Sequence, residues 1–469
     1  MNIINKIKKN SKLTLCYSII KSKKSKNYGT PCLRQSKIIV NERGYCGLHK
    51  KLRQQVFLSN EQKKEETIVS FSSNTIKKFS SLSLMLDKKL TKDLKKNYGI
   101  YFTSRILVNK ILDKLIFIIT KLNIKIHNIL EPSCGSGEFL TGLDNCFAGT
   151  HILGIEHNNL VYNELKKKIS LSNNYLVLKK KDFLKLSDSK KKFDLIIGNP
   201  PFKLLNKSLV DNYSLFFPNK VNIYALFILH CLKTKLAVNG ILTFILPKVF
   251  LNSISYNDIR LYIKDNCKIL AIMDNLKDNF FLGTNIETCV VFIQKKKTKS
   301  KKYFVFFGSY LCYSIQYKYL NKLLSKGKTL SHLGFTVSVG TVLKKKNLTN
   351  SKAEEGYLIC ENNIQNNKLC LKSMLITRSP NMQHGNAIII YRGHGNTKYN
   401  FKYALINLKS KGYLIENHLL IIKHADGIIK LNELMLKFNN QLFSDFISLY
   451  FSNQSLSKKE LLLLPIFSL

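Results

Sequence analysis

Phe193-Asp194-Leu195-Ile196-Ile197-Gly198-Asn199-Pro200-Pro201-Phe202 joins an apolar run to an amide, two prolines and an aromatic ring. Proline has no N–H and cannot extend a ladder, so the run predicts a buried strand that ends in a stiff loop. Open α/β sheets bind ligands at that end of their strands. The Asn199 side-chain oxygen and the Pro200 carbonyl can together accept both hydrogens of one NH2 group. The Phe202 ring offers a face for a planar base. Asn199, Pro200 and Phe202 are therefore the candidate catalytic residues, and the chemistry they suit is the holding of an exocyclic amine.

A second constellation lies upstream. Glu131-Pro132-Ser133-Cys134-Gly135-Ser136-Gly137-Glu138-Phe139-Leu140 follows directly on an apolar run. Gly135 and Gly137 permit a tight turn and a close approach of backbone to a ligand before the next helix. Such a turn alone does not separate a ligand cradle from an ordinary strand-to-helix connection. Gly154-Ile155-Glu156 then ends the next strand with a carboxylate suited to accept both hydroxyls of a ribose. Lys181-Asp182-Phe183-Leu184 ends the third, where an acid can accept from an adenine amine and a ring can pack on it. Each acid taken singly reads equally as a solvated loop charge. Three acid-bearing strand ends followed by the Asn199 loop, in this order, are hard to obtain by chance.

The elements that must position these groups are legible as texture. Asn128-Ile129-Leu130, His151–Ile155, Tyr175–Leu178, Leu195–Ile197, Ile241–Ile245 and Cys289–Ile293 are short apolar runs separated by amphipathic stretches. That alternation predicts a doubly wound α/β sheet over 95–300. The basic run Lys295–Lys302 marks its end, and 301–469, with mixed strand and helix patterns, predicts a second domain. Residues 61–94 are polar, rich in Ser and Lys, and read as a linker.

Residues 1–60 are basic and poorly periodic, and they hold Cys16, Cys32, Cys46 and His49. Three thiols and an imidazole suffice for a tetrahedral zinc ion, and Cys46 with His49 would make one close corner. The other gaps are long. Two readings stay open: a small structural zinc module, or a basic arm with incidental cysteines.

A chain of 469 residues predicts two or three domains, and 45% hydrophobic content is that of a globular protein, not a disordered one. There are 75 Lys and Arg against 29 Asp and Glu, a formal net charge of +46. AT-rich coding accounts for part of the lysine, yet such a surface attracts polyanions whatever its origin. Nucleic acid is the favoured partner. Met1–Lys9 lacks the sustained apolar core of a secretory signal, and no apolar run reaches about 18 residues, so no membrane partner is expected. The 11 cysteines are scattered, most of them in hydrophobic stretches such as those of Cys231 and Cys289. They read as reduced core residues of an intracellular, cytoplasmic protein, or of a cytoplasmic replication site if the source is a virus.

Taken together, these motifs resemble the gamma-class, Taq-type DNA adenine-N6 methyltransferases over about residues 97–295. Tyr98-Gly99-Ile100-Tyr101-Phe102-Thr103 is similar to their upstream cofactor-pocket motif, with Ser104 where a proline is usual. Glu131 to Phe139 is similar to the S-adenosylmethionine motif, Glu156 to the ribose-binding acid, Asp182 and Phe183 to the adenine-binding pair, and Asn199-Pro200-Pro201-Phe202 to the catalytic motif. The resemblance implies a Rossmann-like S-adenosylmethionine-dependent sheet with helices on both faces and a C-terminal mixed α+β target-recognition domain. It implies S-adenosylmethionine as cofactor, held by Tyr101, Thr103, Glu131, Ser133, Gly135, Gly137, Glu156, Asp182 and Phe183. The implied partner is double-stranded DNA with a flipped-out adenine, and a separately encoded restriction endonuclease is a further expected partner.

Downstream, Asn222–Phe227 and Asn239–Pro247 resemble the family's middle helix and strand, and Phe281 is a candidate second wall of a base pocket. Arg392, Lys345 and Lys346 are candidate DNA contacts among many solvated cations. Rival readings are an RNA guanine-N2 enzyme, a methyltransferase of a protein glutamine amide, a cytosine-N4 enzyme and a noncatalytic DNA-binding specificity subunit. The long carboxyl-terminal region, the Tyr98–Thr103 segment and the +46 charge favour DNA, and the intact Gly135, Gly137, Glu156 and Asn199 argue against loss of catalysis.

Overall fold

Strands buried on both faces need apolar side chains in both directions, and the central runs between Asn128 and Gln294 have them, whereas the edge run Tyr175–Lys180 has no buried residue. In the computed structural model they form one sheet of seven strands: β1 (Asn128–Glu131), β2 (His151–Glu156), β3 (Tyr175–Lys180), β4 (Phe193–Gly198), β5 (Leu236–Pro247), β6 (Lys268–Met273) and β7 (Thr288–Gln294). The order across the sheet is β6-β7-β5-β4-β1-β2-β3. Strands β1 to β5 run parallel, and β7 inserts antiparallel between β5 and β6. The chain leaves β1 outward through β2 and β3, then returns to the other side of β1 at β4. That reversal opens a crevice at the carboxyl ends of β1 and β4, where both candidate loops begin.

The structure describes residues 78–186, 191–205, 216, 221–274, 280–283, 286–342, 353–393, 399–408, 411–451 and 455–468. It also describes a short antiparallel pair, Ile38–Val40 with Arg43–Tyr45, in a separate unit of residues Met1–Ser73. Cys16, Cys32, Cys46 and His49 lie outside the described residues, as do Lys345 and Lys346. Among the described residues no group of three or more His, Cys, Asp or Glu is placed to hold a metal ion.

Alternate residues of the strands feed two cores. Leu130, Ile196, Leu242, Phe244 and Val291 pack on one face, and Ile129, Leu195, Ile197, Ile245 and Phe292 pack on the other. The helices that cover them include α1 (Ser81–Lys89), α2 (Lys92–Tyr98), α3 (Arg105–Leu122), α4 (Glu138–Cys146), α5 (Asn159–Lys168), α6 (Ile223–His230) and α7 (Asn257–Asn266). The first two correct the reading of 61–94 as linker from residue 78 onward; 61–77 lie outside the described residues. Ser80 and Thr91 cap α1 and α2 by accepting from Ser83 N and Leu94 N. Leu82, Leu84, Leu86 and Leu90, spaced among serines and lysines, are buried. Composition averaged over the stretch concealed a buried stripe.

The C-terminal part is mixed α+β, as expected. A four-stranded sheet (Thr336–Val339, Leu419–Lys423, Ala387–Tyr391, Tyr403–Ile406) and a three-stranded sheet (Leu375–Arg378, Glu355–Ile359, Gly412–Ile415) accompany helices Ile428–Phe438, Gln441–Tyr450 and Lys458–Leu463. The boundary near 300 is a seam. In the hairpin Phe304–Phe307 and Tyr310–Tyr313, Phe304, Leu311 and Tyr313 enter a core of the seven-stranded sheet while Val305, Phe307 and Cys312 enter the C-terminal one. Arg260 of α7, fully buried, closes the seam. It donates to Phe250 O and Ser253 O at 2.8 Å each, and to Leu311 O. No described helix is long and apolar enough to cross a membrane.

Candidate active site

The turn between β1 and α4 is built on two left-handed glycines, Gly135 (φ 53°) and Gly137 (φ 79°). A Cβ on Gly137 would come within 2.7 Å of Leu165 on α5, so this glycine serves close packing. A Cβ on Gly135 would meet nothing within 4 Å; its backbone lies open. Glu156, at the end of β2, reaches across to the turn. Its Oε2 accepts from Gly135 N at 2.9 Å and its Oε1 from Asn158 N at 2.8 Å. Those two bonds leave further lone pairs on the carboxylate. Burial nevertheless pushes the Glu156 pKa up.

Glu131 is the more unusual acid. It is 1% exposed, and its Oε2 has no protein hydrogen-bond partner. Burial first, then the charges of Glu156 and Glu138, push its pKa well above the usual carboxylate range, opposed by a backbone bond from Leu140. An uncompensated buried acid is costly, and a cation seated beside it would relieve that cost.

Asp182 stands at the end of β3, where its Oδ1 accepts from Leu184 N at 3.1 Å and caps a short turn. Phe183 departs from expectation. Its ring is 2% exposed and packs against Phe227 (centroids 4.9 Å apart) and His230 (5.0 Å). It belongs to the core beneath α6, because an aromatic ring between a sheet and a helix gains most by full burial. Its face is thus not presented to an adenine.

The amide loop is tied to the upstream motif by bonds spanning almost a hundred residues. Asn199 Nδ2 donates to Tyr101 O at 3.1 Å and to Thr103 Oγ1 at 3.2 Å. Two acceptors on one side fix which end of the amide is nitrogen. Oδ1 is left buried with no protein partner. Ser133 Oγ donates to Asn199 O at 3.1 Å, joining the glycine turn to the amide loop. Pro200 is buried and Phe202 half-buried. The Phe202 ring sits 5.8 Å from that of Tyr101 and 5.9 Å from that of Tyr224.

Gly99 makes that approach possible. It ends α2 at φ +67°, its carbonyl accepts from Phe202 N at 3.3 Å, and a Cβ there would lie 2.7 Å from Phe202 N. Ser104, in the place of the usual proline, caps α3 by accepting from Leu107 N at 3.3 Å. Its own N–H donates to Phe280 O at 2.8 Å, a bond a proline could not make.

Tyr101, Thr103, Ser133, Gly135, Glu156, Asn199 and Phe202 thus meet around one crevice. Two expectations outside it change. Phe281 is 7% exposed and packs in the core while its backbone pairs with Thr103. Arg392 is committed to protein carbonyls, Leu456 O at 3.3 Å and Asn417 O at 3.1 Å, so it holds the C-terminal part together. One positioning residue was missed. Asn222 Oδ1 accepts from Lys203 N at 3.2 Å and caps α6, pinning the strand of chain that leaves Phe202. An Asn just before the apolar Ile223–His230 run was the available signal.

The chain is 27% identical over 401 residues to "Type II methyltransferase M.CvrRI" of Paramecium bursaria Chlorella virus XZ-6E, covering 84% of this chain and all of that protein. It is 25% identical over 398 residues to "Modification methylase CviBIII" of Paramecium bursaria Chlorella virus NC1A, with the same coverage, 84% and 100%. Among solved structures, the M protein of the type I restriction enzyme EcoKI aligns at 19% identity, 52% of this chain, 51% of that chain and a TM-score of 0.31. That likeness is too distant to add to what the sheet order establishes. The profile described as "N-6 DNA Methylase" matches residues 83–327, more than half of the chain, and the protein belongs to that family of DNA methyltransferases.

Proposed function

We propose that the protein methylates the N6 amine of adenine in duplex DNA, with S-adenosylmethionine as donor. The observation that carries the reading is Asn199: its nitrogen is tied back to Tyr101 and Thr103, and its oxygen is left as an unsatisfied acceptor. Oδ1 and the Pro200 carbonyl would accept the two N6 hydrogens. Adenine N6 is a poor nucleophile because its lone pair is delocalised into the ring. Holding both hydrogens on fixed acceptors favours a tetrahedral nitrogen and stabilises the charge that develops on it. The amine is inaccessible inside a duplex, so the base must leave the stack, and Phe202 would receive its face.

The residues present fit the donor. The open backbone of Gly135 and the carboxylates of Glu131 and Glu156 would hold it, with Tyr101, Thr103 and Ser133 around the same crevice. S-adenosylmethionine supplies an electrophilic methyl group on a sulfonium centre. Glu131 offers it a negative charge in a site shielded from water. Names of the viral relatives support a modification role.

The test is transfer of labelled methyl from S-adenosylmethionine to unmethylated duplex DNA, read by nucleoside mass spectrometry. N6-methyladenine is expected. N4-methylcytosine would move the target, and donor binding without transfer to DNA would overturn the reading. Phe202→Ala should raise KM for DNA by about 5- to 150-fold, the worth of one stacked base, at unchanged donor affinity. Loss of donor affinity would contradict the role given to the ring.

A pH prediction follows from the two raised acids. A carboxyl whose folded pKa is raised stabilises the fold below the usual carboxylate range, and that contribution is lost as pH rises through the raised value. A bound cation favours the ionised form and reverses the loss. The rise in Tm on adding S-adenosylmethionine should therefore grow as pH rises above the usual carboxylate range in the wild type, and should flatten in Glu131→Gln. A pH-independent rise in the wild type would count against Glu131 as the donor's counter-charge.

A further inference from the structure

The Glu138 carboxylate is met from several elements at once. Ser80 N donates to Oε1 at 3.1 Å, and Ser83 Oγ donates to the same oxygen at 2.8 Å. Ser83 Oγ also lies 2.7 Å from Ser136 Oγ, inside the glycine turn. Arg105 Nε, at the start of α3, stands 3.4 Å from Oε2. Ser83 is fully buried, and Glu138 and Ser136 nearly so.

As the first residue of α4, Glu138 suits the positive end of the helix, but that role needs no burial. A carboxylate removed from water is retained only where its oxygens are bonded. Here the donors come from α1, which precedes the crevice, and the charge partner comes from the segment Thr103–Arg105. Thr103 is the residue whose hydroxyl holds the Asn199 amide. Arg105 is half-exposed, so its pairing contributes little alone. The Ser83 bond is the one shielded from water.

We propose that Glu138 is a positioning residue: with Ser83 it locks the Gly135–Gly137 turn to α1 and to the segment that orients Asn199, so that donor binding and turnover both depend on it. This rests on the reading of the turn as the seat of S-adenosylmethionine. It gives α1 a purpose beyond covering the sheet.

The test compares the full-length wild type with Ser83→Ala, Glu138→Ala and Glu138→Gln. S-adenosylmethionine affinity is read by calorimetry, and kcat and KM for DNA by methyl transfer. Ser83→Ala leaves a buried carboxylate oxygen short of a donor and should weaken donor binding about tenfold. Glu138→Ala should weaken it at least as much and lower kcat, with KM for DNA within about threefold of wild type. Glu138→Gln keeps an oxygen for both serine donors and should recover most of the affinity. Variants that lose Tm but bind donor and turn over like wild type, assayed where they are folded, overturn the proposal. If Glu138→Ala does not fold, Ser83→Ala and Glu138→Gln decide the matter. A wild type that does not bind S-adenosylmethionine would sink the functional reading, and this proposal with it; normal wild-type binding with unaffected variants sinks this proposal alone.

Discussion

Asn199→Ala should lower the rate of methyl transfer by about 10²- to 10³-fold, the usual cost of removing one preorganised hydrogen-bonding partner from a reacting centre. The substitution deletes the acceptor Oδ1 together with the two bonds from Nδ2 to Tyr101 O and Thr103 Oγ1. Those two are partly buried, neutral bonds, so the accompanying loss of stability should stay near about 1–3 kcal/mol. S-adenosylmethionine affinity should change by only a few-fold, because the donor's proposed contacts come from the turn and the acids. Single-turnover kinetics at saturating DNA and donor would separate the chemical step from binding. A variant that folds, binds both ligands and transfers methyl at the wild-type rate would remove Asn199 from the mechanism.

The largest effect on stability should come from Arg260→Ala. The guanidinium has no solvent exposure and supplies donors to three carbonyls, those of Phe250, Ser253 and Leu311. Its own carbonyl accepts from Tyr313 Oη at 2.8 Å. Truncation would deprive the Phe250 and Leu311 carbonyls of the Arg260 donors, while Ser253 O would keep the Tyr256 N–H at 3.2 Å, and it would open a void at the seam. A loss of about 3–5 kcal/mol is expected. Arg260→Lys should recover less than half, since a single ammonium cannot span three carbonyls arranged for a planar fork. Urea denaturation monitored by circular dichroism would show this as a fall in midpoint. A loss below about 1 kcal/mol would mean that the carbonyls find other donors.

What could be read in advance divides by range. Strands β1, β2, β4, β5 and β7 announced themselves as apolar runs, because burial on both faces demands it locally; β3 showed the same texture although none of its residues is buried at the sheet edge. Strand β6 was missed: Lys268-Ile269-Leu270-Ala271-Ile272-Met273 sits just after an amphipathic helix and reads as its continuation. The α1 helix was missed because serine and lysine outnumber the leucines that fix it. The identities of Asn199, Gly135 and Glu156 could be seen because strand ends are local. Amide orientation could not, since it is set by Tyr101 and Thr103 from far upstream in the chain. Phe183 misled for the opposite reason. Its position in the motif suggested a ligand-facing ring, and only the packing of α6 against the Phe183 turn reveals that the core claims it.

The tie between Asn199 and the Tyr101 carbonyl limits which sequences this crevice can explore. An aspartate at 199 would turn a carboxylate oxygen toward a main-chain oxygen that cannot reverse its polarity, although the Thr103 hydroxyl could rotate to donate. A lineage that exchanged the amide for an acid would have to rebuild the backbone around Tyr101 at the same time. Neither change is useful without the other, so single substitutions cannot carry the site across. The hydrogen bond that aims the amide also acts as a ratchet on its future chemistry.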